Sequence, residues 1–242
     1  MSIIELNYKS ELKRVAKEHG FTTRRDACFR IVGDGIFQVL KFEYERAGES
    51  YHLNVGLRSM YDELRPEWFT ADGCIPQFSI ANFIGVRSAN YFPLFSGLRK
   101  ENKRTIFNHN QIILLQDSVI PKLDQMQTQK DLLDMMIELQ TVESGSVRAN
   151  FFEAFAPYLS CRLYAEAEKV ISSVFAQHHD ADVSKKRDNP YYVKSEYYQK
   201  EDRHLEDLLG MVRTRDQRQI ECYLQANYAN NMNYAKFCIP PR

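Results

Sequence analysis

Five side chains could contribute to a binding site by their chemistry: Arg30, His52, Asn54, Arg58 and Trp68. An imidazole such as that of His52 titrates near neutral pH, and a guanidinium such as that of Arg58 can hold an anion through two parallel hydrogen bonds. Side chains alternate between the two faces of a strand, so His52, Asn54 and Arg58 share a face if their segment is regular.

Together with Arg30 and Gln38, these residues predict a polar sheet face that is turned away from the first helix. This face is the candidate binding site. The alternative is an ordinary solvated face, or one that is hydrogen-bonded beneath the C-terminal helices.

Short catalytic motifs are missing from the chain. It contains no G-x-G-x-x-G, P-loop, G-x-S-x-G or H-E-x-x-H sequence. A calcium loop starting at Asp180 fails, because Lys185 stands where glycine is needed and Tyr191 where glutamate is needed. His178, His179 and Asp180 are consecutive and would not converge on one ion. We therefore assign no catalytic residue, and we expect no cofactor and no metal.

The elements that must position these residues begin with an antiparallel meander between Ala27 and Ser59. Gly33-Asp34-Gly35 and the Ala47-Gly48-Glu49 segment separate three runs in which apolar residues alternate with others. The alternation predicts one apolar and one mostly polar face. Pro76 to Ile84 alternates in part and could add a fourth strand.

Helices flank this sheet in the sequence. Ile3 to His19 has apolar residues at helical spacing, and Gly20 is a natural stop. The predicted class is α+β: an N-terminal helix packed on an antiparallel meander of three to four strands, followed by a mostly α-helical C-terminal half. We divide the chain into a sheet domain at 1–106 and a helical region at 107–242, which could pack on the first as one unit.

Several local features are expected within the helical half. Pro121 should kink or restart its helix, with Ser118 as a cap, and Thr128 with Asp131 resembles a capping box. The segment 141–146 resembles a hinge, and the next apolar stripe should bend at Pro157. The polar segment 178–190 is predicted to be a loop, and the turn at 214–216 should join a helical hairpin.

An aromatic group lies in the irregular segment 60–104: Trp68, Phe69, Tyr91, Phe92 and Phe95. These rings either seal the sheet edge or line a pocket or partner surface.

Composition narrows the function classes. The 242 residues carry 32 Lys and Arg and 32 Asp and Glu, so the net charge is zero, and nucleic-acid binding is not expected. The basic clusters 24–25, 99–104 and 185–187 are interpreted as solvated loops. The five widely spaced cysteines predict reduced, mostly buried thiols. With neither a signal peptide nor a membrane-length apolar run, we expect a cytoplasmic location and no membrane association.

The N-terminal part also resembles a known family. A helix ending in His19-Gly20-Phe21 precedes the strands CFRIV, IFQVLKFE and LNVGL. This order is similar to a bacterial family catalogued as domain of unknown function, family 4304, over the first quarter to third of the chain. The resemblance implies an α+β fold and a bacterial source, and it implies no established activity and no site residues.

Three functions remain in competition. The first is a non-enzymatic module that binds another protein, of which an immunity-type toxin inhibitor is one form. The second is an enzyme with a motif-free site near His52 and Arg58, which requires a concave pocket beside His52. A nucleic-acid role comes third and requires the three basic clusters to converge.

Overall fold

The computed structural model describes residues 3–24, 27–45, 50–63, 77–79, 113–142, 155–189 and 193–238. Helix α1 (Ile3–Glu18) precedes five strands: β1 (Thr22–Arg24), β2 (Ala27–Val32), β3 (Ile36–Glu45), β4 (Ser50–Ser59) and β5 (Gln77–Ser79). A π-helical turn (Leu115–Val119) follows, and six more helices lie in the described ranges: α2 (Ile120–Asp124), α3 (Gln129–Val142), α4 (Phe155–Ser160), α5 (Tyr164–Asp188), α6 (Glu196–Thr214) and α7 (Gln217–Cys238). The predicted α+β class is confirmed.

The strands form one antiparallel sheet in chain order, β1-β2-β3-β4-β5. Strand β5 lies inside the segment that was predicted to supply a fourth strand, and the short β1 adds one that was not expected. The turn between β2 and β3 uses positive φ at Gly33 (47°) and Gly35 (67°), a conformation that glycine adopts without a steric penalty. The turn predicted around Gly48 lies outside the described residues.

One face of the sheet packs against α1, the π-helical turn, α2 and α3, and we call it the α1 face. Its buried apolar positions are Cys28, Ile36, Leu40, Val55 and Leu57. Val15 and Ala16 of α1 are fully buried in the same cluster. The apolar face predicted from the alternation is therefore the face that α1 covers.

The opposite face is not the open polar face that the alternation indicated. Phe29, Phe37 and Val39 are buried there in one cluster with Ala235, and Tyr228 and Met232 of α7 pack beside them. We call it the α7 face. On this face the first positions of β3, Phe37 and Val39, are apolar, and helix α7 covers them. The charged residues Lys41 and Glu43 come later in the strand.

A new α-helix, α2, begins at Ile120, which is the restart predicted at Pro121. The π-helical turn runs directly into α2, and Pro121 occupies the first turn of α2. A proline ring removes an N–H and crowds the carbonyl four residues back, and a wider π turn at that place relieves the conflict. The predicted Ser118 cap is wrong, because Val119 is the N-cap and no side chain caps this end.

The capping box at α3 is confirmed. Asp131 N donates to Thr128 Oγ1 at 3.2 Å, and Thr128 N donates back to Asp131 Oδ2 at 2.8 Å. These bonds satisfy N–H groups that a helix start otherwise leaves open. Beyond Val142 the proposed hinge runs outside the described residues.

Two predictions about the later helices are wrong. The apolar stripe breaks at Arg162 (φ 59°), between α4 and α5, and not at Pro157, which lies inside α4. The segment 178–190 is helical up to Asp188, as part of the 25-residue α5. It contains no proline or glycine before Pro190, and Lys186 pairs with Asp182 one turn earlier at 3.3 Å.

The predicted hairpin is confirmed in α6 and α7, which meet at Arg215 (φ 53°). A third buried cluster joins α4, α5, α6 and α7, and it contains Phe155, Ile171, Leu208, Val212 and Ile220. The helical half therefore has a core of its own, while α2, α3 and α7 also contribute to the two sheet clusters.

Candidate functional site

Arg30 is a packing residue on the α1 face. Its Nε donates to Gln38 Oε1 at 2.8 Å, and its two terminal nitrogens donate to the His19 carbonyl and to Asp124 Oδ1. Its guanidinium carbon lies 4.3 Å from the centre of the Phe21 ring. The fully buried Gln38 in turn donates from its Nε2 to the Leu123 carbonyl at 2.8 Å. These contacts occupy the fork of donors that an anion would need.

The predicted binding residues do not share one face. Arg30 pairs with Gln38 across the sheet, whereas Arg58 pairs with Phe37. Cross-strand partners lie on the same face and successive residues alternate, so Arg30 and Gln38 are on the α1 face and Arg58 is on the α7 face. The expectation of one shared polar face is therefore wrong.

By the strand register, His52 lies opposite Glu43 and Asn54 lies opposite Lys41, and both positions are on the same face as Arg58. The structure does not describe these two side chains. Trp68 and the other rings of the aromatic group lie outside the described residues. The binding role assigned to these three residues stays a prediction.

The end of β4 carries a buried ion pair. Arg58 and Asp62 are 6% and 4% exposed, and Arg58 Nε lies 3.4 Å from Asp62 Oδ2. The backbone N–H groups of Ala156 and Ser59 also donate to the Asp62 carboxyl. Burial raises its pKa to about 7, although Arg58 and these N–H groups pull the pKa down.

Glu63, the next residue, connects to both helices of the C-terminal hairpin. Its Oε1 lies 2.5 Å from His204 Nε2 of α6 and accepts a 2.9 Å hydrogen bond from the Tyr223 hydroxyl of α7. The hydrogen bond to Glu63 raises the pKa of His204, and burial raises the pKa of Tyr223. The His204 side chain is 46% exposed, so this pair reaches solvent.

Asn231 completes the attachment of α7. It is 2% exposed, and its Nδ2 donates to the carbonyls of Met60 (2.9 Å) and Asp62 (2.7 Å). We call Arg58, Asp62, Glu63, His204, Tyr223 and Asn231 the polar junction. It joins the end of β4 to α4, α6 and α7.

Two kinds of chemistry are open to the polar junction. The Asp62 carboxyl can gain or lose a proton near neutral pH, and the Glu63–His204 pair can act as a general acid or base where it meets solvent. Asp62 itself is enclosed, so its proton changes the balance of charge inside the protein and does not reach a substrate directly.

A second feature lies in the last turns of α5 and in the residues just before α6. Val193 is 81% exposed and Val183 is 53% exposed, the two highest values among the large apolar side chains in the described part of the chain. Lys194 Nζ bonds Asp202 Oδ2, and Gln199 Nε2 donates to the Lys194 carbonyl at 2.9 Å. These bonds fix the backbone beside Val193 onto α6. We call Val183, Val193 and Lys194 the α5–α6 tip.

Of the polar junction, the sequence analysis named only Arg58, and it did not predict the other five residues or their grouping. One pattern could have indicated part of it: Tyr223, Asn227 and Asn231 recur every four residues, which gives α7 a polar stripe beside its apolar one. No comparable pattern marks Asp62 or Glu63, because they follow the strand in an irregular segment.

The thiols are less uniformly buried than expected. Cys28 is buried and its pKa is raised to about 12, Cys161 is half-buried, and Cys222 is exposed. Lys185, Lys186 and Arg187 are exposed near the C-terminal end of α5. The side chains of the other two basic clusters lie outside what the structure describes, so their convergence stays a prediction.

Within the described ranges, no three His, Cys, Asp or Glu side chains gather as metal ligands would. Among the helices described, none combines the length and the apolar character that crossing a bilayer requires.

Comparison with protein-family models, with curated proteins and with solved structures found no match for this chain. The resemblance to family 4304 therefore stays a prediction from the strand pattern.

Proposed function

We propose that this chain is a non-enzymatic module that binds another protein through the α5–α6 tip. The observation that carries the proposal is the exposure of Val193 (81%) and Val183 (53%) on backbone that is held in place. Exposed apolar side chains rimmed by charges are typical of protein-binding surfaces. Paired charges lie beside both valines in the chain, since Asp182 and Lys186 flank Val183, and Lys194, which pairs with Asp202, follows Val193.

The two arginines offered for ligand binding support this choice. Arg30 holds α1, the sheet and α2 together, and Arg58 is buried beside Asp62. Because both arginines have structural roles, we look for the partner-binding surface on the helices and not on the sheet. An immunity-type inhibitor that binds a toxin protein is one form of this proposal.

Affinity capture from the native host tests the proposal with three versions of the chain: wild type, Val193→Asp and Ile137→Asp. Ile137 on α3 is also exposed (43%), so it is a matched control for general surface stickiness. Burial of one valine is worth about 1.5–3 kcal/mol, so we expect Val193→Asp to weaken binding about 10- to 100-fold.

We expect wild type and Ile137→Asp to capture one partner in stoichiometric yield, and Val193→Asp not to capture it. The same difference should appear when the complex is reconstituted from purified components. Equal loss in both variants, or recovery of the chain alone, contradicts the proposal.

The Glu63–His204 hydrogen bond favours a second candidate, an enzyme that uses this pair as its general acid and base. A panel of ester, phosphoester and amide substrates distinguishes the candidates. For an enzyme, His204→Asn abolishes turnover and Val193→Asp does not. For the binding module, Val193→Asp is the damaging change.

A further inference from the structure

Asp62 lies where four elements meet. Arg58 reaches it from β4, and the Ala156 N–H reaches it from α4. Glu63 stands beside it and brings in His204 from α6 and Tyr223 from α7. Glu201 and Asp207 lie near His204 on α6 and favour its charged form.

The polar junction places two carboxylates, Asp62 and Glu63, beside the cations Arg58 and His204. The two carboxylates are adjacent in the chain, and the charge of Glu63 disfavours ionisation of Asp62. Among the described residues, Asp62 Oδ2 has no hydrogen-bond partner, and its distance of 3.4 Å from Arg58 Nε is long for one. A proton on Asp62 removes one of the two adjacent charges.

We propose that the polar junction is a proton-operated latch, in which protonated Asp62 and the charged His204–Glu63 pair hold α6 and α7 on the end of β4, and loss of these protons loosens the attachment. This inference goes beyond the proposed function, because it concerns how the hairpin is held and not what it binds.

The latch acts at the place where α7 is attached. Asn231 of α7 donates to the Met60 and Asp62 carbonyls, and Tyr223 of α7 donates to Glu63. Each acceptor lies within the short segment 60–63. A shift of this segment that relieves an ionised Asp62 therefore strains three bonds to α7 at once, together with the Glu63 bond to α6.

Both titrating groups act in the same direction. The pKa of Asp62 is about 7 in the folded protein and about 4 in an unfolded chain, so the folded state binds more protons between these values. Stability therefore falls as pH rises from about 4 to 7. His204 has a raised pKa, so its contribution is present below its ordinary value and is lost as pH rises through the raised one.

The test uses the full chain with Asp62→Asn and, as control, Asp134→Asn. Asn keeps the size of the protonated acid without its titration, whereas Asp134 is an exposed carboxylate that pairs with Lys130 on α3. Urea midpoints and amide hydrogen exchange, corrected for the intrinsic rate, are measured at pH 5.5 and pH 8.5.

We expect wild type and Asp134→Asn to have lower midpoints at pH 8.5 and at least tenfold faster exchange in α7. In Asp62→Asn this difference should shrink by more than half. A full pH difference in Asp62→Asn, or none in wild type, overturns the proposal.

Should Asp62→Asn fail to fold, carbon-13 NMR of the aspartate carboxyls in the wild-type protein decides. One carboxyl that titrates above pH 6 supports the latch. Titration of every aspartate below pH 5 overturns it.

Discussion

Arg30 connects three elements through one side chain. Its guanidinium donates to Gln38 in β3, to the His19 carbonyl after α1 and to Asp124 at the end of α2, and it stacks on Phe21. Arginine suits this position because its planar fork presents several donors in fixed directions. Lysine has a single ammonium group and cannot reach all three acceptors at once.

Arg30→Lys should therefore destabilise the protein by about 2 kcal/mol, because hydrogen bonds to a charged group are worth about 1.5–3 kcal/mol each and one or two are lost. Urea unfolding measures the change. Arg14→Lys is the control, since Arg14 is exposed and contacts only nearby Glu11 and Glu18. The control should change stability by less than about 0.5 kcal/mol, and equal effects would argue against a packing role for Arg30.

Individual elements depend on glycine in different ways. Gly33 in the β2–β3 turn has positive φ, and a Cβ there would lie 2.0 Å from the Gln127 carbonyl oxygen. The same oxygen accepts a 2.7 Å hydrogen bond from Asp34 N, so the turn is docked against the residues before α3. Gly210 lies inside α6 and has nothing within 4 Å of its missing Cβ.

Alanine at these two positions should have opposite effects. Gly33→Ala is expected to lower the free energy of unfolding by about 2 kcal/mol or more, from clash and backbone strain. Gly210→Ala should raise it by about 0.5–1 kcal/mol, because alanine is the better helix former. Thermal unfolding of both variants measures this contrast, and destabilisation by Gly210→Ala would mean that α6 is packed differently.

Across the whole molecule, the sheet is a middle layer. Helices α1, α2 and α3 pack on one face and α7 packs on the other. The last of the described helices thereby packs with strands that come almost 200 residues earlier, as Ala235 and Phe37 lie in the same buried cluster. Helix α7 therefore covers a sheet that is formed near the start of the chain.

This arrangement makes a quantitative prediction for the α7 face. Phe37→Ala should cost about 3–5 kcal/mol, similar to Leu40→Ala on the α1 face at about 2–5 kcal/mol, because both residues are 2% exposed or less. Denaturant unfolding compares them directly. A solvated α7 face would give a cost for Phe37→Ala well below that for Leu40→Ala.

The sequence by itself determined those turns, strands and helix starts that depend on residues only a few positions apart. The alternation around Gly33 to Gly35 produced β2, β3 and their turn, and Thr128 with Asp131 marked the start of α3. These features depend on backbone conformation and on side chains three or four positions apart, which a single sequence displays. Residues 178–188 show the limit, since a polar composition fits an exposed helix as well as a loop.

Tertiary structure alone decided which polar residues are buried and what surrounds them. Register placed Arg30 and Arg58 on opposite faces, and α7 then covered the face that the alternation left open. The Asn231–Met60 bond spans 171 residues, and Asp62 owes its raised pKa to burial at the meeting of β4, α4 and the hairpin. Burial depends on which distant elements pack together, and the residues next to Asp62 in the sequence do not indicate which elements these are.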